Sequence, residues 1–317
     1  MNERELPGLR EIEEAAERIS GVASRTPLIE SPTLSKKAGC EVYLKLECFQ
    51  PIKVFKIRGA YNKISRVGER SVVAASSGNH GIAVAYSSHL LGKRCTVVIP
   101  ETAVKEKVDA ILECGAEVVK FGRLSNEREA KAREIARATD AAFAHPFDDP
   151  NVIAGQGTCG LEIAQQLSDF DSVLVPVGGG GLISGSSIAL KGLKPETKVF
   201  GVEPLGAPKL SKALEAKRIV NVPSPSSIAD GLIPSALGEL TYEACSRNVD
   251  GTFTVSEEEI FSATRAMVRD ARIIAEPSGA AAIAPLLSGQ KVPGKRVVAV
   301  ISGGNISSDL LRDILAS

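Results

Sequence analysis

The stretch YLKLECFQPIKVFKIRGAYN, residues 43–62, opens as a strand-like run, Tyr43–Leu46, and closes as a helix start after Lys56. Lys56 sits between Phe55 and Ile57, with Arg58-Gly59-Ala60 behind it. Desolvation and the positive end of a helix both lower a lysine's pKa. An amine held partly neutral can attack an aldehyde. The competing reading of this segment alone is a surface lysine with apolar neighbours.

Working outward, short Val- and Ile-rich runs alternate with helical patterns. The expected strands are Tyr43–Leu46, Val72–Ala75, Thr96–Ile99, Glu117–Phe121, Ser172–Val177, Lys198–Val202, Thr252–Val255 and Val297–Ile301. Many are apolar on both faces, as buried parallel strands are. Helices are expected over Gly81–Leu91, Val104–Cys114, Asn126–Thr139, Val152–Leu167 and Glu257–Arg272, and on the N-terminal stripe Ile12, Ala15, Ala16 and Ile19. The alternation predicts an α/β fold of two domains with mostly parallel sheets flanked by helices. One unit spans residues 71–148, and residues 1–70 with 149–317 form the other. A pocket between two such units, at the carboxyl ends of the strands, is the expected ligand site.

Composition narrows the function. The 317 residues are 44% hydrophobic and 24% charged, and Lys plus Arg equals Asp plus Glu at 38 each. No basic excess points to nucleic acid or an anionic membrane. No apolar run approaches the roughly 18 residues of a membrane span, and the charged N-terminus has no signal-peptide core. Six scattered cysteines without a CxxC read as reduced thiols of a cytoplasmic protein. Three histidines (His80, His89, His145) leave no zinc-type cluster.

Three turns follow expected strands. Ser76-Ser77-Gly78-Asn79-His80-Gly81 offers amides and side-chain donors at a helix start, suited to a carboxylate or to ordinary capping. Gly178-Gly179-Gly180-Gly181 precedes another helix start. Each glycine costs about 0.5–1 kcal/mol relative to alanine, so four in a row cost about 2–4 kcal/mol. A phosphate cradled by consecutive amides would require them. Ser302-Gly303-Gly304-Asn305 would present a neutral hydroxyl at a strand end. A nicotinamide-dependent oxidoreductase is the rival reading, because Glu203 ends the strand after the glycines, where an acid meets a ribose; the spacing G-x-G-x-x-G is missing.

The segments FKIRGA (55–60), SSGNHG (76–81), VIAGQGT (152–158), VPVGGGGLISG (175–185), GVEPLGAP (201–208), IADG (228–231), AEPSGA (275–280) and SGGN (302–305) run across nearly the whole chain. In this order they resemble the fold-type-II pyridoxal-phosphate enzymes, in particular the threonine dehydratase and serine racemase group. The resemblance implies a tryptophan-synthase-β-like fold, with 1–70 plus 149–317 as the large cofactor-binding domain and 71–148 as the small substrate-side domain. It implies pyridoxal 5′-phosphate carried on Lys56, which would also shuttle the substrate's α-proton. Phe55 would pack beside the ring and Asn79 would meet the ring hydroxyl. Gly178, Gly179, Gly180 and Gly181 would hold the 5′-phosphate, and Ser302 would meet the ring nitrogen. Ser76, Ser77 and His80 would lie at the substrate carboxylate, with Ser77 as the proton donor opposite the lysine that keeps racemisation open.

The chain departs from the family pattern twice. Lys53-Val54 stands where Gly-Ser is usual before Phe-Lys. At the divalent-cation site of mammalian-type serine racemases, Glu203 and Ala207 match two positions, but Lys209 replaces the aspartate. A lysine cannot ligate a hard cation, so metal independence is expected, with the Lys209 ammonium paired to Glu203. The sequence stops at Ser317, soon after SGGN, so no regulatory domain and no isoleucine feedback are expected. The expected activity is that of a cytoplasmic L-threonine/L-serine dehydratase, an ammonia-lyase acting on a small hydroxy amino acid, and the resemblance implies a homodimer. The alternatives are serine racemase, alone or bifunctional, and a hydroxyaspartate dehydratase with Arg128 reading the second carboxylate. A non-catalytic binding protein fits poorly with so complete a set of catalytic positions.

Overall fold

The computed structural model describes residues 5–76, 78–103, 105–122 and 125–316. Ser77 lies outside the described residues. Among the described residues ten strands form two sheets: β1 (Leu28–Glu30), β2 (Glu41–Leu46), β3 (Ser71–Ala75), β4 (Arg94–Ile99), β5 (Glu117–Lys120), β6 (Ala142–Phe143), β7 (Ser172–Pro176), β8 (Lys198–Pro204), β9 (Gly251–Val255) and β10 (Arg296–Ile301). All the expected strands are present, with ends shifted by a residue or two. The six-stranded sheet has the order β1-β2-β10-β7-β8-β9, and the four-stranded sheet has the order β5-β4-β3-β6. Every pairing is parallel except that of β1 with β2.

Parallel strands covered on both faces must be apolar throughout. β7 is buried at every position, and Val297–Ile301 of β10 likewise. Two strands escaped the sequence reading. β1 is a three-residue edge strand, half-exposed, and β6 is only two residues long, so neither shows a periodicity. The helix expected to run to Arg272 stops at Arg269, and Arg272 takes a positive φ of 60°.

The helix Pro150–Gln166 is the spine behind the larger sheet. Asp149 caps it by accepting from the amides of Asn151 and Val152, and Pro150 occupies its first turn. It packs against the helices Lys56–Ile64 and Gly181–Leu193 and the amphipathic N-terminal helix Leu9–Ile19. The approach to Lys56–Ile64 is close: a Cβ on Gly155 would lie 2.6 Å from the Arg58 carbonyl oxygen. This spine therefore holds the helix that begins at Lys56 and the helix that follows the four glycines in one rigid layer. β3, β7 and β10 all end at the turns singled out above.

Candidate active site

The lead-in to Lys56 is sewn to the turn after β10. Val54 bridges Gly303 in antiparallel fashion, the Phe55 amide donates to the Ser302 carbonyl at 3.1 Å, and the Gly304 amide donates to the Lys53 carbonyl at 2.8 Å. Lys53, standing where the family has glycine, takes a φ of 62°, and the Val54 side chain is buried. Lys56 then opens the helix Lys56–Ile64. Its Nζ donates to the Pro146 carbonyl at 2.7 Å and lies 5.3 Å from the centre of the Phe55 ring. Burial lowers the amine's pKa to about 8.

The four glycines join β7 to the helix Gly181–Leu193. Gly180 has a φ of 96°, which favours glycine, and the Gly179 carbonyl accepts from Thr241 Oγ1 at 2.8 Å. Besides a phosphate, close packing accounts for part of this glycine run, because protein atoms exclude side chains here. A Cβ on Gly179 would lie 2.1 Å from the Phe147 ring, and one on Gly178 would lie 2.6 Å from the Gly231 carbonyl oxygen. The turn is thus clamped from behind while the first amides of the helix, which have no intrahelical partner, remain as anion donors.

Asn79 opens the helix Asn79–Leu90 beyond β3. Its Nδ2 donates to Glu276 Oε1 at 2.7 Å and its Oδ1 accepts from Asn305 Nδ2 at 2.8 Å. The Ser76 hydroxyl accepts from the Gly78 amide at 3.2 Å. His80 is buried, with Nε2 2.9 Å from the Ala144 carbonyl oxygen; burial and the nearby Lys56 charge push it down to about 3, so the ring is neutral. In that environment the His80 ring is a weak base. Ser302 is buried, and its hydroxyl has a long 3.4 Å contact with the Ser278 carbonyl, which leaves the donor nearly uncommitted. Arg128 stands on the helix Ser125–Ala138, which packs on β3 and β4; burial lowers its pKa, opposed by Glu127.

Glu203, near the end of β8, and Lys209, just beyond it, form a fully buried pair at 3.3 Å. The ammonium also donates to the carbonyls of Ala207 at 3.0 Å and Leu232 at 2.9 Å. The carboxylate accepts from the amides of Leu210 and Ser211 and from the Ser211 hydroxyl. Glu203 is therefore spent on a helix start and a lysine, and it offers nothing to a ribose; the nicotinamide reading has no acid to stand on. Among the described residues, no group of three His, Cys, Asp or Glu side chains could hold a metal ion.

Sequence reasoning assigned no role to Glu276, Asn305, Pro146 or Phe147. For Glu276 a signal existed: it is the lone charge in the run IIAEPSGAAAIAPLL, residues 273–287. A carboxylate in so apolar a run is buried and needs a partner. Asn305 acts through its side-chain amide toward a residue far off in the chain, and Pro146 and Phe147 act through a backbone carbonyl and packing, which leave no mark on residue type.

Among the described residues no helix is long and apolar enough to cross a membrane. Residues 19–303 match the family model described as pyridoxal-phosphate dependent enzyme. The chain is 43% identical over 311 residues to the L-threonine ammonia-lyase of Thermotoga maritima, covering 97% of this chain and 78% of that protein. It is 36% identical over 306 residues to the L-threo-3-hydroxyaspartate ammonia-lyase of Saccharomyces cerevisiae, covering 95% and 94% of the two chains. The structure of maize serine racemase superposes with a TM-score of 0.94 at 32% identity, covering 98% of both chains.

Proposed function

Since this chain belongs to the pyridoxal-phosphate-dependent enzymes of fold type II, we propose that it is an L-threonine/L-serine ammonia-lyase. It eliminates water from a β-hydroxy amino acid, and the enamine so formed is hydrolysed, taking up one water and releasing ammonia and a 2-oxo acid. The single observation that carries this reading is the Lys56 amine, desolvated to a pKa of about 8 and hydrogen-bonded to a neutral carbonyl. Such an amine exchanges protons near neutral pH.

The surrounding groups fit the cofactor. Phosphate belongs at the amides of Gly178–Gly181, beside the positive φ of Gly180. The nearly uncommitted, buried Ser302 hydroxyl suits a ring nitrogen, and Asn79 suits the ring hydroxyl. Phe55 flanks the lysine. When bound, pyridoxal phosphate supplies an aldehyde for the amine and an electron sink for charge at the substrate's α-carbon. Lys56 takes the Cα proton. Ser76 and the amides at the start of the helix Asn79–Leu90 bind the substrate carboxylate, with Ser77 and the region of the neutral His80 ring. We assign residues 71–148 to the small substrate-side domain, and 1–70 with 149–317 to the large one.

Elimination needs one base, whereas racemisation needs a second proton donor on the opposite face. Of the described groups in the turn, His80 is neutral and engaged with Ala144, and Ser76 is engaged with Gly78. The lyase reading needs only the Lys56 base, whereas the racemase reading needs Ser77 as well, which lies outside the described residues. Serine racemase remains the second reading through Ser77, with the maize enzyme's likeness in its support. A hydroxyaspartate substrate is the third, through the yeast relative and Arg128.

The test is a panel of L-threonine, L-serine and L-threo-3-hydroxyaspartate assayed for 2-oxo acid, with D-serine measured in parallel. Oxo acid released fastest from L-threonine is the expected result; D-serine without oxo acid would overturn the lyase assignment. We also infer that the Lys209 ammonium does the work of a cation between Glu203 and the Ala207 carbonyl. Exhaustive chelation should leave turnover unchanged, and recovery that requires Mg²⁺ would refute it.

A further inference from the structure

Donors and acceptors around Asn79 form a chain whose direction is set by one group that cannot flip. The Ile52 carbonyl is an acceptor only. It takes a hydrogen bond from Asn305 Nδ2 at 3.1 Å, which fixes that amide's orientation. The same Asn305 Nδ2 donates to Asn79 Oδ1 at 2.8 Å, so the Asn79 amide is fixed in turn. Asn79 Nδ2 is thereby aimed at Glu276 Oε1, 2.7 Å away. A reversed Asn79 would set its oxygen against a carboxylate and its nitrogen against another donor.

The end of this chain is a built feature. Glu276 is 5% exposed, and its amide donates to the Gly303 carbonyl at 3.1 Å. A Cβ on Gly303 would lie 2.1 Å from Glu276 Oε1, so the glycine of the SGGN turn makes room for the carboxyl group. Burial and Asp230 push the Glu276 carboxyl up to about 7, while Asn79 and Lys107 hold it down. Lys107 and Asp230 pair with each other. The chain ties the six-stranded sheet's side, through Ile52, Glu276 and Asn305, to Asn79 at the end of β3.

We propose that Glu276 is a positioning residue that acts through Asn79: with Asn305 it locks the Asn79 amide so that an N–H, and never the carbonyl oxygen, is left for the cofactor. The second Nδ2 hydrogen is the only side-chain donor Asn79 then has left. A donor at that place favours an ionised ring hydroxyl, so the relay sets how tightly the cofactor is held and the protonation state of its chromophore. This inference rests on the reading that Asn79 meets the ring hydroxyl.

The test uses the purified holoenzyme and reads cofactor dissociation by dialysis and titration, with the pH dependence of its visible absorption band. Asn79→Ala should weaken cofactor binding about tenfold and move the band or its titration. Glu276→Ala should do the same, and the double variant should be no weaker than the worse single one, since both changes break one chain. Glu276→Gln, which keeps an acceptor, should restore affinity to within about threefold, a rescue that a purely electrostatic role would not allow. Multiplicative losses in the double variant, or an unchanged band and affinity in Glu276→Ala, would overturn the proposal. If Glu276→Ala does not fold, the part-exposed Asn305→Ala takes its place, and an unshifted band there counts against the relay equally. A wild-type protein without a Lys56-bound chromophore refutes the parent reading, whereas a response to Asn79→Ala alone refutes only this one.

Discussion

Lys56 and Arg58 stand two residues apart on one turn of one helix, and their surroundings are opposite. Arg58 is 0% exposed and saturated with partners. Its guanidinium meets Glu47 at 2.7 and 2.8 Å, Glu162 at 2.7 and 2.9 Å, and Thr158 Oγ1 at 3.0 Å. Lys45 completes a charge-balanced cluster by donating to Glu162, Gln166 and the Thr26 carbonyl. Burial alone would lower the Arg58 pKa, but the two carboxylates raise it well above its usual value. Burial alone would raise that of Glu47, yet Arg58 brings it down to about 2. Among the described residues Lys56 forms no ion pair; it has one carbonyl, and burial wins. Burial by itself therefore does not decide whether a cation is structural or reactive. The number of compensating charges does.

Removing each cation should break the protein in a different place. Lys56→Ala should lower kcat by about 10³–10⁴ or more, since it removes both the proton carrier and the cofactor's anchor. In the cofactor-free protein its denaturation midpoint should stay level or rise, because an unpaired amine leaves a buried site. The sign with pH agrees. A folded pKa of about 8 against an ordinary 10.5 means the folded state binds fewer protons between those values. The strain from Lys56 is thus full below pH 8 and relieved as pH rises toward 10.5, and acylation of Lys56 in the cofactor-free protein should be half-maximal near pH 8. Labelling that began only near pH 10 would erase the contrast with Arg58.

Arg58→Met should act next most strongly, and on stability. It strands Glu47 beside a single remaining lysine and should cost about 3–5 kcal/mol in urea unfolding. A loss below about 1 kcal/mol would show that the cluster is not the anchor of this helix.

How much of this was legible follows from where partners lie along the chain. The strands, the helix beginning at Lys56 and the three turns are local patterns of apolar, glycine and serine residues, and they are visible in a window of about ten residues. The Arg58 cluster joins Thr26, Lys45, Glu47, Thr158 and Glu162 from three separate segments, and no window contains it. Glu276 was conspicuous as a lone charge, but its partner Asn79 lies 197 residues away. Four consecutive glycines signal a phosphate cradle or a tightly packed turn, but the group that packs there, the Phe147 ring behind Gly179, belongs to a distant loop.

Lys53 adds a third cation to the same short segment and sharpens the comparison by removing charge from it. It is exposed, and what is unusual is its backbone: φ is 62°, with the carbonyl held by the Gly304 amide and the amide held by the Gln50 carbonyl. A side chain in this left-handed region costs roughly 1–2 kcal/mol. Glycine would remove that strain but lose about 0.5–1 kcal/mol to the extra freedom of the unfolded chain. Lys53→Gly should therefore raise stability only slightly, by about 0.5 kcal/mol from those two terms. Lys53→Val should lower it, because a branched side chain tolerates this conformation least. Thermal midpoints of the two variants decide the matter, with kcat and KM measured beside them. If Lys53→Gly instead changes KM at unchanged stability, the lysine's charge reaches the substrate, and the division of this segment into backbone, reactive and structural cations fails at its first member.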